Sequence, residues 1–340
     1  MNHHVPSIGP VYERPADLAD ASLAAILRRH WQLNVSDMRY APVGYGGYHW
    51  TVLDDARLRW FVTAKRLTGA EDLADLRATM RAARELADAG LGFVVAPVQA
   101  GSGDLVIRAQ PGYAITVFPF ADGVPGHWGD PVSAAERAAI TDLLAALHTA
   151  GPAAGAVPVR DLTPRSRGYL ELSLRERGRP WRGGPYAEAA RALVAEHAAG
   201  LMAALADFDD LVAQVAASGA GLVLTHGEPH PGNLIRRGAD YLLVDWDTAG
   251  LAPPERDLWW ILSDSGAEAD RYAEVTGRMV SQPALALYRL RWDLDDIGLL
   301  LAGFRAAHQQ DEDSATGWAG LAAAVNRLAV STGPAPEKFL

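Results

Sequence analysis

A short β-rich island at residues 222–247 interrupts an otherwise helical run, and it limits the folds open to this chain more than any other segment. It reads Leu224-Thr225-His226-Gly227-Glu228-Pro229-His230-Pro231-Gly232-Asn233, then Tyr241-Leu242-Leu243-Val244-Asp245-Trp246-Asp247. A strand ends in a turn that carries an acid, an amide follows five positions on (233 − 228), and a second strand ends in two more carboxylates. Such an arrangement can bring Glu228, Asn233 and Asp245 around one point. Two acids and an amide oxygen are hard donors that suit Mg²⁺. The remaining acid can orient or deprotonate a hydroxyl. A single acid at a turn is usually a cap, but capping does not account for His-Gly, Pro-Gly-Asn and acid-Trp-acid together.

The pattern around the island sets the fold class. Residues 16–33 read as a helix with Leu18, Leu23, Ile26 and Leu27 on one side. Strands are expected at Tyr40–Val43, His49–Leu53 and Arg59–Lys65, with Gly44-Tyr45-Gly46-Gly47-Tyr48 as the turn between the first two. A charged helix over 71–89 stops at Gly90, and strands are expected at Phe93–Ala100, Leu105–Arg108 and Tyr113–Phe120. Ser133 and Glu136 form a capping-box pattern that opens a helix through His148. Beyond a Gly-, Pro- and Arg-rich stretch at 151–185, with a short helix near 165–177, the periodicity predicts helices at 186–218, 255–264, 267–281, 283–308 and 314–331. A strand-rich first third and a helical remainder make an α+β chain of two lobes, with a hinge near Phe118–Ala121.

Composition narrows the function. The net charge of −10 argues against a nucleic-acid partner and suits a cationic small molecule. Cys is absent, so disulfides, thiolate nucleophiles and Cys-based zinc sites are excluded. The stretch Met1–Pro15 has no apolar h-region and no segment approaches the apolar length of a membrane helix, so a cytoplasmic protein, monomeric or homodimeric, is expected.

His226–Asn233 resembles the catalytic loop H-G-D-x-H-x-x-N of the aminoglycoside phosphotransferases and related small-molecule kinases. Val244–Asp247 looks like their metal-binding strand end, and Leu251-Ala252-Pro253-Pro254-Glu255-Arg256-Asp257-Leu258 resembles the spectinomycin-phosphotransferase branch. The resemblance implies a protein-kinase-like fold, with a small β-rich N-terminal lobe at 1–119 that binds nucleotide and a larger helical lobe at 120–340 for catalysis and acceptor binding. It implies transfer of the γ-phosphoryl of ATP or GTP to a hydroxyl, here of an aminocyclitol such as spectinomycin. Metabolic kinases of the choline, homoserine or sugar type are the alternative, as is a catalytically weak antibiotic-binding protein.

On this resemblance Glu228, Asn233 and Asp245 are catalytic, and Asn233, Asp245 and Asp247 face Mg²⁺. Gly44, Gly46 and Gly47 let backbone N–H groups approach the phosphates. Lys65 contacts the α- and β-phosphates, held by Glu85 in preference to Glu71. Backbone groups of Val117, Phe118 and Phe120 bind the base edge. Asp293 and Asp296 share a helix face and are expected to line the acceptor pocket, with Asp311, Glu312 and Asp313 adding charge nearby. His226 and His230 have no third His or Cys beside them, so they are expected to brace the loop rather than bind zinc. His148 is expected in the core. One position departs from the pattern: Glu228 stands where the family has Asp. The extra methylene displaces the carboxylate by about 1 Å, a misplacement that can cost about 10²-fold in rate.

Overall fold

The computed structural model describes residues 12–44, 46–151 and 157–331. Tyr45 of the glycine turn and most of Met1–Pro15 lie outside the described residues. In chain order the elements are α1 (Asp20–Trp31), β1 (Val35–Ala41), β2 (Gly47–Asp54), β3 (Arg59–Arg66), α2 (Ala70–Asp88), β4 (Ile107–Ala109), β5 (Tyr113–Pro119), β6 (Val124–Pro125) and α3 (Ala134–Thr149). Then come α4 (Arg167–Arg175), α5 (Ala187–Glu196), α6 (Ala198–Ala217), β7 (Val223–Thr225), a 3₁₀ turn at Pro231–Asn233, β8 (Leu234–Arg237) and β9 (Asp240–Leu243). A second 3₁₀ turn at Trp246–Thr248 leads to β10 (Gly250–Ala252), α7 (Glu255–Leu258), α8 (Ala267–Thr276), α9 (Gln282–Arg305) and α10 (Glu312–Ser331). The fold is mixed α and β, with a sheet-rich N-terminal region and a helical C-terminal region.

The chain divides into two compact units, one of residues 13–160 and 221–285, the other of 1–12, 161–220 and 286–340. In the first, an antiparallel sheet runs in the order β1-β2-β3-β5-β4. The apolar run of β5 is buried on both faces, as a continuous hydrophobic strand requires. Alternation sends Tyr113, Ile115 and Val117 to a core with α1, Trp50, Val52 and Val62. It sends Ala114 and Phe118 to a second core with α2, α3 and the strands of the island. That second core contains Leu224, Leu234, Leu243 and Trp246, so the island is anchored by its own apolar residues.

In the other unit the helices are tied by buried or half-buried ion pairs. Arg305 pairs with Glu176 and lies 4.6 Å over the Trp181 ring. The Gly183 carbonyl accepts from His308 N–H (3.0 Å), where a Cβ on Gly183 would collide with the last carbonyls of α9. No single helix among the described residues is long and apolar enough to cross a membrane.

Three expectations change. The helix expected over 186–218 is two helices, α5 and α6, bent by 71° at His197, although the apolar periodicity runs through the break. Phe93–Ala100 is not a strand: its first half pairs with Leu243 and Val98 N–H switches to the Val117 carbonyl (2.8 Å), with Pro97 at the change of partner. The helix expected at 255–264 is the short α7, ending at Leu258.

Candidate active site

All the chemistry-bearing residues of the island fall in the first unit, and they are set by a hydrogen-bond scaffold that starts from one buried acid. Both Asp257 carboxylate oxygens accept from the catalytic loop, Oδ2 from His226 N–H (2.7 Å) and Oδ1 from Gly227 N–H (2.6 Å). His148 Nε2 donates to the same carboxylate (3.1 Å), and the Tyr272 hydroxyl lies 3.0 Å from His148 Nδ1. Burial alone would raise the Asp257 pKa, but the His148 hydrogen bond and the charges around it hold it below the ordinary carboxylate range. His148 is therefore a buried brace, as expected for the core.

Arg256 completes the scaffold by donating to Thr225 Oγ1 (2.9 Å) and to the Thr248 carbonyl (3.0 Å). Its guanidinium packs where a Gly227 Cβ would stand, and Gly227 has φ +102. Both facts demand glycine there. His226 is buried and its pKa is lowered to about 4 by desolvation, so it is neutral. Its Nε2–H donates to the Val244 carbonyl (2.8 Å), and Nδ1 accepts from Glu228 N–H at 3.3 Å. One imidazole thus links the catalytic loop to the strand end beside Asp245.

The reacting groups stand on this scaffold. Asn233 Nδ2 donates to the Glu228 carbonyl (2.8 Å), which commits the amide's donor and leaves Oδ1 as its ligand atom. Asp245 adopts φ 64, a left-handed conformation that costs a non-glycine residue free energy and re-aims its carboxylate at the end of β9. Asp245 remains accessible to solvent while protein crowds it, and burial with the repulsion of Asp247 and Glu228 raises its pKa well above the ordinary value. Lys65 offsets part of that repulsion, and its ammonium donates to Asp247. For Asp247, burial works upward, but the Lys65 charge and hydrogen bond outweigh it and lower the pKa. Three carboxylates within electrostatic reach of one ammonium leave excess negative charge, although among the described residues no three His, Cys, Asp or Glu side chains are already arranged to hold a metal ion.

Lys65 lies on β3 with Gly47 as its cross-strand partner, so the glycine turn and the lysine share a sheet edge as expected. Gly44 and Gly46 both have positive φ. The Glu85 partnership differs from expectation: Lys65 bonds to Asp247, and Glu85 Oε2 is buried with no hydrogen-bond partner among the described residues. The base-edge groups also differ. The Val117 carbonyl accepts from Val98 and Phe120 N–H donates to the Arg59 carbonyl (3.1 Å), while Phe118 pairs with Phe61 in the sheet. Ala121 is the first residue past this ladder whose N–H makes no backbone hydrogen bond among the described residues.

Asp293, in the second unit, is paired with Arg327 (2.7 Å) and its pKa is raised by burial. Asp296 lies one turn on along α9. Asp311 Oδ1 accepts from Ser314 N–H (2.8 Å), which makes it a cap for α10, and Asp313 accepts from Tyr12 N–H.

Sequence reasoning missed the structural work of Asp257 and Arg256, although both lie in the quoted Pro-Glu-Arg-Asp-Leu stretch. It also missed Arg160. This side chain donates to both Asp75 oxygens on α2 (3.0 and 2.8 Å) and from Nε to the Ala249 carbonyl (3.0 Å), while its backbone N–H donates to Leu251. It ties α2 to the segment that follows Asp247. No local pattern announces a lone Arg in a loop.

A two-acid strand end and a loop carboxylate thus lie within electrostatic reach of a sheet lysine. The profile described as the phosphotransferase enzyme family matches residues 37–291, and the chain belongs to that family. It is an ATP-dependent phosphotransferase acting on hydroxyl groups. Among solved structures, spectinomycin phosphotransferase APH(9)-Ia, in complex with ADP and spectinomycin, is similar at 15% identity and TM-score 0.70, over 92% of this chain and 98% of that one. Amicoumacin kinase hAmiN, with AMP-PNP and Ca²⁺, is similar at 14% identity and TM-score 0.59, over 94% and 96%. Choline kinase LicA from Streptococcus pneumoniae is similar at 15% identity and TM-score 0.56, over 92% and 99%. At these identities the likeness shows the fold. A search of curated proteins by sequence finds no match.

Proposed function

We propose that the protein moves the γ-phosphoryl group of ATP, or of GTP, to a hydroxyl of a small cationic molecule, with an aminocyclitol of the spectinomycin type as the first candidate. The observation that carries the reading is the excess of carboxylates, Glu228, Asp245 and Asp247, around the single ammonium of Lys65. Asn233, Asp245 and Asp247 would hold Mg²⁺, which when bound neutralises phosphate oxygens. Lys65 exchanges Asp247 for the α- and β-phosphates, under the N–H groups of Gly44–Gly47. Glu228 accepts a hydrogen bond from the acceptor hydroxyl and aligns it with the γ-phosphorus. The acceptor O–P bond forms as the bond to the β-phosphate oxygen breaks, and Glu228 takes the hydroxyl proton late. The functional division follows the sheet: residues 1–119 supply the nucleotide groups and 120–340 the catalytic loop and acceptor groups.

The acceptor class is supported by the likeness to a structure bound to spectinomycin and by the net charge of −10. Choline is the second reading, supported by the likeness to LicA. The test incubates the protein with Mg²⁺ and ATP, and in parallel GTP, against aminocyclitols, aminoglycosides, macrolides, choline and neutral sugars and alcohols. A product heavier by one phosphoryl group, formed only with nucleotide, is the expected result. A panel in which only neutral alcohols are modified would contradict the cationic-acceptor reading.

A further inference from the structure

We infer that His49 is a phosphate-binding residue of the nucleotide site, its Nε2–H donating to an oxygen of the di- or triphosphate beneath the glycine turn. The strand register places it there. β2 and β3 pair Gly47 with Lys65 and His49 with Thr63. Side chains two apart on a strand share a face, so His49 and Thr63 stand on the same face of the sheet as Lys65, one step further from the turn.

The ring is held by its own neighbours. It stacks on Phe61 with centroids 5.2 Å apart and planes 23° from parallel. Its Nδ1 lies 3.2 Å from Thr63 Oγ1. The Thr63 hydroxyl can donate to Nδ1, and the neutral ring in that tautomer carries its proton on Nε2. That edge faces the turn: Nε2 lies 3.5 Å from where a Gly44 Cβ would be, and 3.4 Å from where a Gly47 Cβ would be. The two glycines therefore leave room for the imidazole as well as for phosphates. Among the described residues no hydrogen-bond partner is recorded for Nε2. Burial lowers its pKa to about 4, with Asp247 acting in the opposite direction, so the ring is neutral and within electrostatic reach of the carboxylates that Lys65 serves.

A neutral N–H held by stacking and a second hydrogen bond under a glycine turn is a preorganised donor for an anion. It needs no reorientation when the phosphate arrives. A core histidine would have both nitrogens satisfied by the protein.

The inference rests on the nucleotide reading above, and binding measurements separate the two. Affinities for Mg·ATP, Mg·ADP and adenosine are measured by calorimetry on wild type, His49→Phe, His49→Gln and Thr63→Val, with thermal unfolding to confirm folding. Phe keeps the ring and its stacking but removes the donor; Gln keeps a donor. The expected result is about a ten-fold loss of ATP and ADP affinity in His49→Phe, as one hydrogen bond to a charged group is worth. Adenosine affinity should be unchanged, His49→Gln should recover part of the loss, and Thr63→Val should show a smaller loss in the same direction. Unchanged ATP affinity in His49→Phe, or an equal loss for adenosine, overturns the inference and leaves the nucleotide reading in place. Failure of wild type to bind ATP or ADP overturns both.

Discussion

The two sides of the active centre are built differently. On the catalytic-loop side every backbone group of His226 and Gly227 that meets Asp257, Thr248 or Arg256 has a partner, and the scaffold runs from Tyr272 through His148 to Asp257. On the phosphate side, among the described residues, Lys65 is hydrogen-bonded through its ammonium only to Asp247 and Glu85 keeps a buried oxygen with no partner, while His49 presents a ring edge to the turn. The backbone of His226 and Gly227 is held in place without ligand. The phosphate side holds its charges in a provisional arrangement that a nucleotide and a cation would reorder. Preorganisation has been placed where the acceptor hydroxyl must be aligned, and adaptability where a large polyanion must enter.

The largest effect is expected at the point both sides share. Asp245→Ala should reduce turnover by about 10³-fold or more, because it removes one of the two strand-end carboxylates proposed to hold the cation that neutralises the phosphates. Steady-state kinetics across a Mg²⁺ titration checks this, and full activity would remove Asp245 from the chemistry. The next effect breaks the rigid side. Asp257→Asn turns an amide donor toward the N–H groups of His226 and Gly227 and leaves His148 without its anion. Loss of one partner of a buried set costs about 3–5 kcal/mol, read as a lower urea midpoint. A stability change below about 1 kcal/mol would show that the scaffold is not what holds the loop.

On the adaptable side the effects should be smaller and should appear in binding. Lys65→Ala should lower kcat/KM by about 10²-fold with stability nearly unchanged, since exchange of a half-exposed ion pair costs little. If Lys65 moves to Glu85 when nucleotide binds, Glu85→Gln should raise the KM for ATP by a smaller factor. Damage in Glu71→Ala instead would identify the other acid as the partner. The last effect is on pH. The folded pKa of His226, about 4, lies below its ordinary 6.5, so the unfolded chain binds an extra proton between those values. Stability should therefore fall as pH drops from about 6.5 to about 4, by up to about 1.4 kcal/mol per pH unit for this group, and His226→Asn should flatten the slope.

The same contrast explains what could be read from the sequence. The candidate site residues stood out because phosphoryl-transfer chemistry would fix their types and their spacing in a short stretch, from Glu228 to Asn233 and on to Asp245. The glycine turn, the strand of Lys65 and the capping box at Ser133 were legible for the same local reason, and the structure forms the last through Ser133 and Glu136 side chains. Contacts between distant segments were not legible. Arg160 reaches Asp75 and Ala249 across 85 and 89 positions, and Asp257 reaches His226 across 31. The bend at His197 was hidden because an alanine-rich apolar face continues on both sides. The sheet, rather than a motif, decides that Phe120 N–H is committed to Arg59.

Glu228 tests the central claim most directly, because the account makes its carboxylate the group that aligns the acceptor. Its half-buried side chain leaves the loop whose backbone is fixed by Asp257 and Asn233. Glu228→Gln keeps the shape and removes the charge; Glu228→Asp keeps the charge and shortens the reach. The measurement is turnover of the modified acceptor by both variants, with ATP affinity measured in parallel. The account predicts that Gln lowers turnover by about 10²-fold or more while ATP affinity holds, and that Asp retains partial activity or exceeds wild type. Wild-type turnover in Glu228→Gln would contradict it, and would move the search for the acceptor's base to Asp247.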